Sequence, residues 1–105
     1  MTHILKTMSQ FGLLDETIGA LRLLLTLHKS EHPLNTTELQ NKMDELYNVK
    51  KGATGTAIKV CGSLGLIEIK HGIEKPKPAT YHSLTEKGKK VAELLAHLEA
   101  LLEES

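Results

Sequence analysis

A mainly α-helical fold with one small antiparallel β-hairpin is what this 105-residue sequence predicts. Three observations predict it. Apolar residues recur at helical spacing in three stretches before residue 65. Two short strand-like segments, Leu66 to His71 and Ala79 to Leu84, flank a loop rich in Gly, Pro and Lys. Six apolar residues from Val91 to Leu102 then follow a heptad-like stripe along one last helix. The length favours a single domain over residues 1–105.

The first helix is expected from about Asp15 to Lys29, with Asp15 as its cap. Leu14, Ile18, Leu21, Leu25 and His28 recur near a helical period, and Leu23, Leu24 and Leu27 fill its other faces. A helix apolar on more than one side must be covered on more than one side, so it is central or shared with a second subunit. Pro33 stops it within the turn Ser30 to Asn35. A second helix follows over Thr36 to Tyr47, lined by Leu39, Met43 and Leu46. Asn35 with Glu38 can cap it, and Thr37 with Gln40 offers a competing capping box. After a polar, basic connection, Thr54 reads as the cap of a third helix ending near Leu64. Ala57, Cys61 and Leu64 form its inner face, and Gly65 supplies a left-handed stop. The hairpin occupies about residues 66–84, and Thr85 caps a final helix reaching about residue 103.

Charge narrows the partners. The formal net charge is zero, but residues 48–90 hold nine lysines against three glutamates. Residues 1–47 and 91–105 carry net charges of −2 and −4. A basic middle between acidic ends is the footprint of a face that binds a polyanion. Single-stranded nucleic acid is a poor fit, because its bases stack on aromatic rings and only Phe11, Tyr47 and Tyr81 are aromatic. No secretory signal is seen at the N-terminus and no apolar run approaches a membrane span, so a cytoplasmic location without membrane contact is expected.

The order helix, helix, helix, strand, basic loop, strand, helix resembles the winged helix-turn-helix transcription regulators, the broad group of MarR-like, PadR-like and ArsR-like proteins. Two stretches carry the resemblance. Thr56 to Ile67, TAIKVCGSLGLI, is similar to the end of a recognition helix entering the wing. Tyr81 to Lys89, YHSLTEKGK, is similar to the segment where the second wing strand enters the next helix. The likeness covers about residues 34–90. The connection from Tyr47 to Ala53 is longer than the turn of a compact helix-turn-helix.

The resemblance implies a regulator that places its recognition helix in the major groove of double-stranded DNA, where base edges are distinguishable. Thr54, Thr56, Lys59 and Ser63 on that helix are the candidate contacts, with Lys50 and Lys51 preceding it. Lys75 and Lys77 at the wing tip suit phosphates or the adjacent minor groove. Regulators of this kind read two half-sites as dimers. The leucine stripe Leu94, Leu95, Leu98, Leu101 and Leu102, with Leu14 and the N-terminal stretch Ile4 to Leu14 that it ends, is the candidate homodimer surface, so both terminal helices serve dimerisation. The alternative is a winged-helix protein–protein module without sequence-specific DNA binding. The recognition helix favours it by carrying one charge, Lys59, among the small residues Gly55, Ala57, Gly62 and Ser63, whereas the same small residues would equally permit close approach to a groove.

Other chemistry finds little support. No Gly-rich phosphate loop or nucleophile motif points to an enzyme, and no cofactor is expected. His28 and His32 have a metal-compatible spacing, but Pro33 ends the helix there. His71 and His82 are expected to face each other across the hairpin. Cys61 on an inner helix face reads as a small buried hydrophobe.

Overall fold

The computed structural model describes residues 9–72 and 79–104. The N-terminal part contains two helices where one was expected. Helix α1 spans Gln10–Glu16, and the Ser9 hydroxyl caps it by accepting from the Gly12 amide at 3.0 Å. Helix α2 spans Ala20–Lys29. Between them Thr17 is extended and its hydroxyl turns back to donate to the Leu13 carbonyl at 2.7 Å. Gly19 then takes φ +84°, a left-handed conformation suited to glycine. A Cβ at Gly19 would also lie 3.0 Å from Val49. The break leaves Ile18 71% exposed on the turn and removes Asp15 from any capping role.

Helix α2 is the central element. Ala20, Leu23 and Leu24 are fully buried, and Leu25, Thr26 and Leu27 nearly or fully so. It packs against α3, α4 and α5 described below, which is what its all-round apolar character requires. At its end the Ser30 hydroxyl donates to the Thr26 carbonyl at 3.0 Å.

Helix α3 spans Thr36–Tyr47 and is entered through the two-residue strand β1, Leu34–Asn35. Its capping box is complete: Asn35 Oδ1 accepts from the Glu38 amide at 2.8 Å, and Glu38 Oε1 accepts from the Asn35 amide at 3.0 Å. Leu39 and Met43 are buried, but Leu46, expected on the same face, is 47% exposed, at a surface hollow beside the end of the last helix.

Helix α4 spans Lys51–Ser63 and begins three residues before the expected Thr54. The chain reverses tightly between α3 and α4. Asn48 takes φ 56° and its amide returns to the Asp44 and Met43 carbonyls. Val49 is buried beneath the corner. Only Asn48 to Lys50 connect the two helices, so the helix-turn-helix is compact after all. A full Schellman motif ends α4: the Leu66 amide donates to Cys61 and the Gly65 amide to Gly62, with Gly65 at φ +73°.

The hairpin consists of β2, Ile67–Gly72, and β3, Ala79–Leu84, in antiparallel register from Ile67 opposite Leu84 to Gly72 opposite Ala79. Strand β1 adds to the other edge of β3, so the sheet has the order β1-β3-β2. Ile67 is buried whereas Ile69 is 40% exposed. His71 lies opposite Thr80 and His82 opposite Ile69, so the two histidines do not face each other.

Helix α5 spans Glu86–Glu103. Thr85 fixes its start three ways: its hydroxyl accepts from the Gly88 amide, the same hydroxyl donates to the Gly65 carbonyl, and its amide donates to Leu66. Helix and strand approach so closely here that a Cβ at Gly88 would be driven into the Leu66 carbonyl oxygen. On its inner side α5 packs on α2. Its Glu99 meets Lys29 at 3.1 Å and the Tyr47 hydroxyl at 3.1 Å, joining α2, α3 and α5. The Tyr47 hydroxyl is the main reason the Lys29 ammonium is held above its ordinary pKa.

Candidate nucleic-acid interface

Helix α4, the second helix of the helix-turn-helix, divides into two faces. Thr54, Ala57 and Cys61 are buried at i, i+3, i+7. Gly52, Thr56, Lys59 and Ser63 recur on the opposite side at i, i+4, i+7, i+11, and all four are exposed. Starting the helix at Lys51 extends these two faces back to Gly52 and Thr54. It also removes Thr54 from the candidate contacts: Thr54 is fully buried, and its Oγ1 has no hydrogen-bond partner.

Lys50 is the N-cap residue of α4, and no side chain caps the helix there. First-turn amides with no intrahelical acceptor, at the positive end of the helix dipole, favour an anion. Lys50 and Lys51 flank that end and are exposed. Lys50 is held by Asp44 at 3.0 Å. Thr56 turns its hydroxyl to the Gly52 carbonyl at 3.4 Å, and Ser63 to the Val60 carbonyl at 2.8 Å. Their hydroxyl oxygens keep lone pairs for outside donors.

Three glycines in a 13-residue helix call for a reason, since each disfavours the helix by ~1 kcal/mol relative to Ala. At Gly62 an added Cβ would make an ordinary contact with Ile69 at 3.7 Å. At Gly52 and Gly55 it would meet nothing within 4 Å. Packing within the chain therefore does not ask for these two glycines. Without side chains there, the backbone of α4 is left uncovered at these two positions. Both meanings of these small residues were open in the sequence, and the contacts of each glycine show that Gly52 and Gly55 are the two that packing does not use.

Lys75 and Lys77 lie outside the described residues. On the described part of the hairpin, Lys70 is an exposed cation with Glu68 at 3.9 Å. His71 Nδ1 lies 3.2 Å from the Thr80 hydroxyl. His82 is buried with Nδ1 3.1 Å from the Leu34 carbonyl, which makes it a structural link between β3 and β1.

The second surface is apolar. Leu94 and Leu102 are 72% and 73% exposed, and Leu98 and Leu101 are each 51% exposed. Leu95 is half-buried, and Leu14, at 8% exposure, belongs to the core instead of the surface. Phe11, 78% exposed, joins the exposed leucines and belongs to the stretch Ile4 to Leu14 expected at the dimer surface, of which residues 4–8 lie outside the described residues. Between α1 and the first half of α5 runs a groove of about 500 Å³, floored by Leu14, Leu21, Leu64 and Leu66.

His28 and His32 are both exposed, and His32 Nδ1 lies 2.9 Å from the Pro33 carbonyl. Among the described residues no group of three or more His, Cys, Asp or Glu side chains is placed to hold a metal. Burial pushes the Cys61 thiol up to about 12, which suits a core residue and not a reactive thiolate. Among the described residues no helix is long and apolar enough to cross a membrane.

The sequence matches no protein-family model and no curated protein. Solved structures match closely in shape. A PadR family transcription regulator from Clostridium difficile is 18% identical, with 81% of this chain and 91% of that chain covered at a TM-score of 0.68. A protein from Porphyromonas gingivalis, described as a candidate MarR family regulator, is 20% identical, with 97% and 90% covered at a TM-score of 0.71. A candidate HxlR family transcription factor from Thermoplasma volcanium is 20% identical, with 93% and 85% covered at a TM-score of 0.71. With a compact helix-turn-helix, a three-stranded antiparallel sheet and these neighbours, the chain has the winged helix-turn-helix fold.

Proposed function

We propose that the protein is a homodimeric, DNA-binding transcription regulator that lays α4 in the major groove and its basic hairpin on the backbone or in the minor groove. The observation that carries this reading is the outer face of α4: Lys51, Thr56, Lys59 and Ser63 around two glycines that the chain's own packing does not require. The uncapped N-terminus of α4 suits a phosphate, with Lys50 and Lys51 beside it. Thr56, Lys59 and Ser63 then reach base edges or the adjacent backbone, and Lys75 and Lys77 extend the contact from the hairpin loop. The exposed leucines of α5 serve association of two copies, which lets the protein read two half-sites.

Fluorescence anisotropy with labelled duplex DNA at low and moderate salt tests the reading. Binding that weakens steeply with salt is expected, and Lys51→Ala with Lys59→Ala should weaken it further and flatten the salt slope by about two. Absence of binding at low salt would refute DNA recognition and favour the protein–protein module.

A further inference from the structure

We propose that the hollow between the end of α2, the hairpin and the first half of α5 binds a small organic polycation, a molecule with two or more separated ammonium groups. The hollow measures about 540 Å³ and opens to solvent, a size that suits a small molecule. It shares no residue with α4 and owes nothing to DNA binding. One residue of its wall, His82, is only 3% exposed. His82 Nδ1 lies 3.1 Å from the Leu34 carbonyl, and a carbonyl only accepts, so Nδ1 carries the proton. Nε2 has no hydrogen-bond partner among the described residues. It is not sealed off either, since the one enclosed side-chain N or O without a partner among those residues is Thr54 Oγ1. The hollow that His82 lines is the opening it meets. In the neutral ring Nε2 is an acceptor, here without a donor.

The rest of the wall has the same polarity. Glu31, Glu68 and Glu93 line it and are exposed. Neither Glu31 nor Glu93 has an ion-pair partner among the described residues. Ser30 also lines the hollow, and its hydroxyl proton is already given to the Thr26 carbonyl, which leaves lone pairs for an outside donor. Leu27, His28 and Ser30 bring the C-terminal end of α2 to the wall, and that end of a helix dipole favours a cation. The one lysine of the wall, Lys89, is held by Glu86 at 3.3 Å. The spread of these acceptors selects the kind of cation. Among the described residues no three His, Cys, Asp or Glu side chains are placed to hold a metal, so a single ion would leave most of the wall unmet. A flexible cation with several N–H groups reaches His82 with one and the carboxylates with the others.

Titration of the full chain with spermidine tests this, followed by NMR at constant ionic strength and about pH 8, above the ordinary imidazole range. Saturable binding is expected, with the largest shifts at the His82 ring nitrogens and at the amides of Ser30 and Ser83. Replacing His82 would also break its link to β1, so exposed residues carry the mutational test. Glu68→Gln combined with Glu93→Gln should weaken binding by about tenfold. Glu103→Gln removes a carboxylate outside the hollow and should leave the affinity within about twofold. Shifts that scatter over the acidic surface without saturating, or an equal response to magnesium, would mean charge screening and overturn the proposal. Saturable binding that the double variant does not weaken would place the ligand elsewhere and overturn it too.

Discussion

Helices α2 and α5 are both rich in leucine, yet they stand in opposite relations to the rest of the molecule. Leu23 and Leu24 of α2 are fully buried, whereas Leu94 and Leu102 of α5 are almost three-quarters exposed. The difference lies in their neighbours. Helix α2 is covered by α3, α4 and α5, while α5 packs on α2 with one side and leaves its other side open. Leucine content therefore does not say what a helix is for. A leucine that the chain covers contributes to folding, and a leucine that it leaves open is available to a partner.

The largest expected effect would break that comparison directly. Leu23→Ala should destabilise the protein by roughly 2–5 kcal/mol, through lost transfer energy and the cavity left behind. Leu94→Ala should change stability by no more than about 0.5 kcal/mol in dilute, dissociated protein, and should weaken association instead. Denaturant titration at several protein concentrations separates the two. Equal losses at both positions, independent of concentration, would show that the exposed stripe is structural.

A somewhat smaller loss is expected where α5 is most firmly held. Gly88→Ala forces a methyl group into the Leu66 carbonyl, and overpacking of this kind costs about 1–3 kcal/mol or more. Thermal unfolding should reveal it, together with disruption of the Thr85 junction. A variant as stable as the parent would mean that α5 can shift away from the hairpin without loss.

The smallest effect sharpens the same contrast within α4. Gly55→Ala meets open space and should stabilise the helix by ~1 kcal/mol. It should also weaken duplex binding in the anisotropy assay, because the added methyl group holds the helix backbone off the DNA. A gain in stability with unchanged DNA affinity would deny Gly55 any part in the contact.

Much of this was legible in the chain. The capping box at Asn35 and Glu38, strand β3 and the long α5 were readable because local chemistry fixes them: a cap, an alternation and a stripe. The start of α4 was not. Thr54 is a better capping residue than Lys50 by local preference, but the buried Val49 and the left-handed Asn48 set the corner earlier. That shift buried Thr54 and brought Lys51 into the helix. The break between α1 and α2 was equally hidden, since Gly19 meets Val49 thirty residues away. Strand β1, two residues long, exists only because β3 pairs with it.

Of the candidate interface, the spacing of Thr56, Lys59 and Ser63 was readable, as was the basic middle of the chain. Gly52 and Gly55 became interpretable only with neighbours in place, and Leu14 moved from candidate surface to core. By itself the sequence determined the order of the elements from α3 onward, the caps at Asn35 and Thr85 and which residues of a helix share a face, because these depend on backbone geometry within a few residues. The tertiary structure alone decided which of those faces were covered. Burial depends on what distant parts of the chain bring alongside, and α2 and α5 carry similar leucines into different surroundings.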